Sequence, residues 1–206
     1  MVDQSNPLLV SRCQSFTRTA SVIVMAVGGL VLIGWTLDIP LFKSILPGWG
    51  TMKPNAAFAF LLSGLSLWLL REKAAVGWPR RLGVLFAGTV ALIGGLTLTE
   101  HLIGWDLGID QLLFTGSPSG IGTFPSVRIA TNAALNFLLI GIALLIPDVE
   151  TRRGARPAQY LALTAAVVSL LALAGHLYGV ARLQDFAFAV PMVQSAALTF
   201  LVLCMG

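Results

Sequence analysis

Long apolar runs separated by short polar loops dominate this sequence. Charged residues, prolines or glycines bound each run, as is typical of helix ends and turns. The first run is long enough to cross a hydrocarbon core of roughly 30 Å, whereas the second and sixth are shorter and are expected to extend into flanking turns or to contact lipid only in part. A short interfacial helix is predicted at 41–46. The pattern predicts transmembrane helices at 19–37, 54–70, 82–102, 129–146, 160–177 and 190–205.

Composition places the chain in the membrane class. Of its 206 residues, 56% are hydrophobic and only 11% are charged, and its mean hydropathy is +0.86. A soluble domain of this size carries more charge. The net charge of +4 does not indicate nucleic-acid binding, because the basic residues lie in short loops beside predicted helix ends.

The distribution of basic residues predicts the orientation of the chain. Nine of the 13 Lys and Arg residues fall in the N-terminal segment and in the loops after the second and fourth predicted helices. Positive residues concentrate on the cytoplasmic side of membrane proteins. Residues 1–18 are therefore predicted to be a cytoplasmic segment and residues 19–206 a transmembrane domain, with both termini cytoplasmic.

One sequence unit recurs along the chain. Each copy has a turn that follows an outward helix and an apolar segment that opens an inward helix. The copies are 34–42 with 54–62, 104–114 with 131–139, and an eroded third copy at 179–183 with 195–201. They predict an all-α integral membrane protein, a six-transmembrane-helix bundle of three parallel helix-loop-helix repeats spanning approximately 19–70, 82–146 and 160–205. A pseudo-threefold arrangement would gather the three outer loops over one central region.

Two histidines are candidate functional residues. His101 and His176 take equivalent places in two repeats, and Val31 is assigned to that place in the remaining one. Small residues such as Thr97 and Ala172 lie one turn before each histidine. Because small residues favour close helix contact, both imidazoles are predicted to face the bundle interior, where an ionisable group is a functional candidate.

Four interpretations of the histidines remain open. The two imidazoles could ligate the iron of haem b from both sides. They could hydrogen-bond a quinone in a pocket walled by Trp35, Trp105 and Tyr178. They could bind a divalent metal together with Glu100, although neighbouring helix residues point about 100° apart. They could also be interfacial or hydrogen-bonded to nearby backbone.

Amide side chains mark the predicted starts of the inward helices. Asn55, Asn132 and Ser195 take equivalent places, and Asn136 lies one turn further in. These groups are predicted to cap or cross-link helices where water is scarce, with ligand contact as the alternative.

Catalytic signatures are absent from the sequence. It has no phosphate-binding glycine loop, no His-Glu-x-x-His helix, no nucleophile elbow and no CxxC pair. No charged residue lies near the middle of a predicted helix, which argues against a proton or ion pathway.

The repeated elements resemble a known sensor region. The segments 52–58, 104–114 and 132–137 are similar to the multi-pass N-terminal sensor region of bacterial histidine kinases and diguanylate cyclases. The likeness runs from about Gly34 to Phe200. It implies the bacterial inner membrane, and a non-catalytic input region that is followed by cytoplasmic signalling modules.

The predicted function is therefore that of a membrane-embedded sensory module, in which an outer pocket is coupled to a cytoplasmic effector through the last helix. Two alternatives remain: a haem- or quinone-binding electron-transfer subunit, and a structural subunit of a larger membrane complex. The predicted partners are the lipid bilayer, a signalling effector or other membrane subunits, and a second copy of the chain. No nucleic-acid partner is predicted.

Overall fold

The computed structural model describes residues 7–44, 50–71, 77–104, 129–151, 154–178 and 192–206. This part of the chain is 83% helical and contains no strand. Its helices are α1 (Pro7–Thr36), α2 (Pro40–Ser44), α3 (Pro54–Leu70), α4 (Trp78–Ile103), α5 (Thr131–Leu145), α6 (Pro157–Tyr178) and α7 (Gln194–Met205).

The helices pack as the hairpins α1–α3, α4–α5 and α6–α7. In the first hairpin, a Cβ atom on Gly28 would lie 2.6 Å from the carbonyl oxygen of Ala57. In the second, a Cβ atom on Gly94 would lie 2.6 Å from the carbonyl oxygen of Ala134. Both glycines therefore let two helix backbones touch, as small residues do between membrane helices.

The hairpins close into a ring in which α3 packs on α4, α5 on α6 and α7 on α1. The shorter helices α3, α5 and α7 also touch one another along the axis of this ring. Phe60, Phe137 and Phe200, one from each of them, are fully buried there. Their ring centroids are 4.5–4.9 Å apart, within the range of favourable edge and tilted aromatic contacts. The core of the bundle is thus a cluster of matched residues.

The two ends of the bundle can be distinguished by which helices begin there. We call the end at which α3, α5 and α7 begin the upper end, and the end at which α1, α4 and α6 begin the lower end. The lower end is fixed by a hydrogen bond from Ser66 Oγ to the Gly83 carbonyl (2.9 Å). Another runs there from Thr17 Oγ1 to the Gly206 carbonyl (2.8 Å).

Three helices in the described part of the chain are long and apolar enough to cross a membrane, namely Arg12–Thr36, Trp78–Ile103 and Pro157–Leu177. They belong to α1, α4 and α6, which also carry most of the exposed large apolar side chains. The other apolar helices, Pro54–Leu70, Thr131–Leu145 and Gln194–Met205, are shorter. An apolar outer surface of this kind is expected of a membrane protein.

Most predicted helices agree with the structure, and the main difference lies at the N-terminus. The second predicted helix coincides with α3, and a short helix, α2, lies close to the one predicted at 41–46. However, α1 begins at Pro7, so part of the segment predicted to precede the first helix is helical. The prediction followed the apolar run, whereas polar residues can prolong a helix beyond its apolar stretch.

Candidate functional site at the upper end

Each histidine side chain is held by its own helix. The Nδ1 atom of His101 lies 2.8 Å from the Thr97 carbonyl oxygen, and that of His176 lies 2.9 Å from the Ala172 carbonyl oxygen. Because a carbonyl oxygen can only accept, Nδ1 must donate in both cases. In the neutral imidazole the Nε2 atom then carries a lone pair. The interpretation that the histidines bond to nearby backbone therefore holds for both, and it leaves Nε2 free to accept.

The second hairpin has several buried polar atoms without a partner at its upper end. His101 Nε2, Thr97 Oγ1 and Thr131 Oγ1 are all buried and make no hydrogen bond within the described structure. Thr97 lies on α4 and Thr131 starts α5, and the contact of Gly94 with Ala134 holds these two helix ends together. Such atoms normally find a partner because an unmade buried hydrogen bond costs about 1–3 kcal/mol. We call His101, Thr97 and Thr131 the upper polar cluster.

Glu100 is a buried residue whose place sequence reasoning missed. Its side chain is 1% exposed, whereas His101 beside it is only partly buried. Glu100 follows Val90, Gly94 and Thr97 on the same buried stripe of α4. The helical spacing of that stripe is a signal that the sequence contains. A carboxyl group therefore lies inside the bundle next to the upper polar cluster.

A small cavity of about 40 Å³ lies on the axis at the upper end. Met52, Ile129 and Met192 line it, and these residues precede Asn55, Asn132 and Ser195 by the same spacing. The cavity is large enough for water but far too small for haem or a quinone. Lys53 also lines it, and burial lowers the pKa of that ammonium group.

One of the amide side chains, Asn136, cross-links two helices, and none of the predicted capping residues occupies an N-cap position. Asn55, Asn132 and Ser195 are each the second residue of a helix, and none of the three helices has a side-chain cap. Asn136 instead donates from Nδ2 to Ser169 Oγ at 2.9 Å, joining α5 to α6. The predicted cross-linking role is therefore observed for Asn136. The capping role is wrong because Asn55, Asn132 and Ser195 each lie two positions after the N-cap residue, inside the helix.

Of the three aromatic residues predicted to wall a pocket, only Trp35 has a described side chain. Trp35 donates from Nε1 to the Met52 carbonyl at 3.0 Å, and the Lys43 ammonium lies 4.8 Å from its ring centroid. Trp105 lies outside the described residues. Tyr178 ends α6, and its side chain also lies outside the described part.

In the first hairpin, the position equivalent to His101 is occupied by a different residue from the one predicted. Gly28 contacts Ala57 as Gly94 contacts Ala134, so α1 and α4 match through these glycines. On that match Trp35, not Val31, takes the place of His101. The prediction that Val31 does so is wrong by about one helical turn. It was based on the repeated turn sequences, which begin at different distances from the helix contacts of Gly28 and Gly94.

Nothing in the described residues supports a haem held by both histidines. The helices that carry them, α4 and α6, each pack on α5 and form no extensive interface with each other. Neither described cavity is lined by His101 or His176. No group of three or more His, Cys, Asp or Glu residues that could hold a metal occurs within the described ranges.

No protein family, curated protein or solved structure matches this chain.

Replacing His101 by phenylalanine is expected to raise the free energy of unfolding of the ligand-free protein by about 1 kcal/mol, because it removes a buried acceptor that has no partner. The measurement is thermal or detergent unfolding of the purified protein in lipid nanodiscs. His176→Phe is the matched control, since His176 Nε2 is not among the buried atoms that lack a partner. Equal destabilisation by both changes would contradict the assignment.

Proposed function

We propose that the chain is a six-helix bundle of the bacterial inner membrane, built from three parallel helix-loop-helix repeats, with its upper end outside and both termini in the cytoplasm. The asymmetry of basic residues supports this orientation. The apolar surfaces of α1, α4 and α6 support their contact with lipid. The shorter helices α3, α5 and α7 cross the bilayer inside that ring, where neighbouring helices cover them.

Within this topology the chain is the sensory input module of a signalling protein. The upper polar cluster is the observation that carries the proposal, because it holds buried hydrogen-bonding capacity that the described protein leaves unused. A ligand that satisfies His101 Nε2 and the two threonine hydroxyls would bind one conformation more tightly than another. The resemblance of the repeated elements to bacterial sensor regions supports the same function.

The bundle offers a route from this cluster to the cytoplasmic end. Thr131 begins α5, and α5 packs against α6 and touches α7. Gly206, which follows α7, accepts a hydrogen bond from Thr17 of α1. A change in the position of α5 would therefore alter the position of α7 beside α1. An effector attached after α7 would respond to that displacement.

A second candidate function is electron transfer by a bound quinol. The fixed tautomer of His101 favours it, since Nε2 can accept a hydrogen bond from a quinol hydroxyl but cannot donate one to a quinone carbonyl unless the ring is protonated. This function predicts that quinol stabilises the wild-type protein against unfolding and leaves His101→Phe unaffected. A Soret band in the purified protein that is lost with either histidine would instead support haem binding.

Cysteine labelling tests the proposed topology. In a background with Cys204→Ser, the native Cys13 is expected to resist an impermeant maleimide in intact spheroplasts and to react after the membrane is opened. In a background without native cysteines, Ser117→Cys in the long predicted outer loop is expected to react in intact spheroplasts. The opposite pattern, or equal labelling of both positions, would overturn the orientation.

A reporter fusion tests the sensing function without knowledge of the ligand. A histidine-kinase catalytic region is joined after Gly206, and autophosphorylation is measured in membranes. Thr97→Val and His101→Phe remove members of the upper polar cluster and are expected to shift the output severalfold. Leu102→Ala, at a side chain that is 65% exposed, is the control. An output that is the same in all variants would contradict the proposal.

A further inference from the structure

The contacts between hairpins at the lower end differ in one of three places. Between α3 and α4, Ser66 donates to the Gly83 carbonyl. Between α1 and α7, Thr17 donates to the Gly206 carbonyl. The corresponding positions between α5 and α6 are Ala143 and Ala158. Ala143 follows Asn132 by the same number of residues as Ser66 follows Asn55. Likewise, Ala158 precedes His176 by the same number of residues as Gly83 precedes His101.

The two alanines cannot form the hydrogen bond that closes the other interfaces, because neither has a hydroxyl group. Instead, both line a groove of about 560 Å³ between α5, α6 and the end of α7. Ala162, Leu203 and Leu144 also line it, so its walls are mostly apolar. The groove opens beside Leu163 of α6, which is 62% exposed. The groove therefore opens on the same outer surface that carries the exposed apolar side chains of α1, α4 and α6.

A basic residue, Arg156, lies at the mouth of the groove. Arg156 lines it and directs two guanidinium N–H groups to Glu150 Oε1, at 2.9 and 2.5 Å. An arginine has five N–H donors, so three remain for another acceptor. The other acidic residue of this turn, Asp148, is paired with Arg80 at 2.9 Å.

We propose that this groove binds an anionic phospholipid, with an acyl chain between α5 and α6 and the phosphate at Arg156. The proposal rests on the membrane topology proposed above, in which the lower end lies at the cytoplasmic leaflet. Basic residues at that level attract anionic headgroups, and apolar walls at hydrocarbon depth accept an acyl chain. A phosphate accepts hydrogen bonds from a guanidinium in well-defined geometry.

Two kinds of variant test the groove. Ala143→Ser combined with Ala158→Gly supplies the hydroxyl and the small residue found between α3 and α4, and is expected to close it. Ala162→Phe is expected to fill it. The wild type and both variants are purified from membranes, placed in nanodiscs containing equal phosphatidylglycerol and phosphatidylcholine, and released for native mass spectrometry. Both variants should lose the bound phosphatidylglycerol that the wild type retains.

The headgroup contact is tested separately. Arg156→Gln is expected to keep a bound lipid but to lower the preference for phosphatidylglycerol over phosphatidylcholine by about fivefold, the effect of one basic residue near an anionic headgroup. Leu170→Phe introduces the same aromatic side chain as Ala162→Phe at an exposed position of α6 outside the groove, and should leave lipid binding unchanged. Circular dichroism verifies that each variant remains helical.

Several outcomes would overturn the proposal. Retention of phosphatidylglycerol by both groove variants would show that the lipid binds elsewhere. Equal loss of phosphatidylglycerol with Leu170→Phe would show that the bound lipid belongs to a nonspecific layer around the protein. If Ala162→Phe instead converted a dimer to a monomer with bound lipid unchanged, the occupant would be a second copy of the chain. These results leave the kinase-fusion experiment untouched, so the groove and the sensing function can fail independently.

Discussion

Replacing Gly94 by alanine is expected to lower the free energy of unfolding by about 3 kcal/mol, at the upper end of the cost of overpacking. The added Cβ atom would lie 2.5 Å from the Leu138 nitrogen and 2.6 Å from the Ala134 carbonyl oxygen. These are backbone atoms of α5, so no rotation of a side chain can relieve the clash. The two helices must separate, and the upper polar cluster that they hold together would be disturbed as well.

The control for this prediction lies on the same helix. A Cβ atom at Gly88 would meet no atom within 4 Å, so Gly88→Ala adds only helix propensity and is expected to stabilise by about 0.5–1 kcal/mol. Unfolding in nanodiscs by heat or by added denaturing detergent measures both variants. Similar stability of Gly94→Ala and Gly88→Ala would show that α4 and α5 do not touch as described.

Truncating Phe137 to alanine is expected to cost about 3 kcal/mol of unfolding free energy. Its ring is fully buried and lies 4.9 Å from the ring centroid of Phe60 and 4.7 Å from that of Phe200. The value is at the low end for buried Phe→Ala changes, because in a bilayer the main loss is packing around a cavity rather than transfer from water. The same unfolding measurement applies.

Phe16→Ala is the matched control for this change, since Phe16 is 46% exposed on α1. It is expected to alter stability by less than about 0.5 kcal/mol. The kinase fusion provides a second measurement, in which Phe137→Ala should weaken the response of the reporter to Thr97→Val. A destabilisation no larger than that of Phe16→Ala would mean that the three rings do not form the core.

Sequence reasoning predicted the helical class and most helix bounds, because long apolar runs leave few alternatives to a membrane helix. It also aligned Asn55, Asn132 and Ser195, which occupy the same place in three helices. It did not predict the cluster of Phe60, Phe137 and Phe200. Those residues lie on the matched segments, but an apolar residue in an apolar run gives no sign of which face it occupies.

The candidate site was predicted only in part. His101 was singled out because ionisable residues are rare in such sequences, and its buried Nε2 atom supports that choice. Sequence spacing could not show that α5 lies between the helices of His101 and His176. The groove between α5 and α6 was not predicted either. It occurs where Ala143 and Ala158 lack the hydroxyl group that forms a hydrogen bond at the equivalent place in the other two interfaces.

The contact of each phenylalanine ring with both others has a mechanical consequence. In a ring of helices joined only to their neighbours, a displacement would pass stepwise around the circumference and weaken at every interface. Phe137 instead touches both Phe200 and Phe60 directly. A movement of the middle hairpin is therefore transmitted directly to α7 and to α3. A displacement of one hairpin is therefore expected to move all three hairpins together.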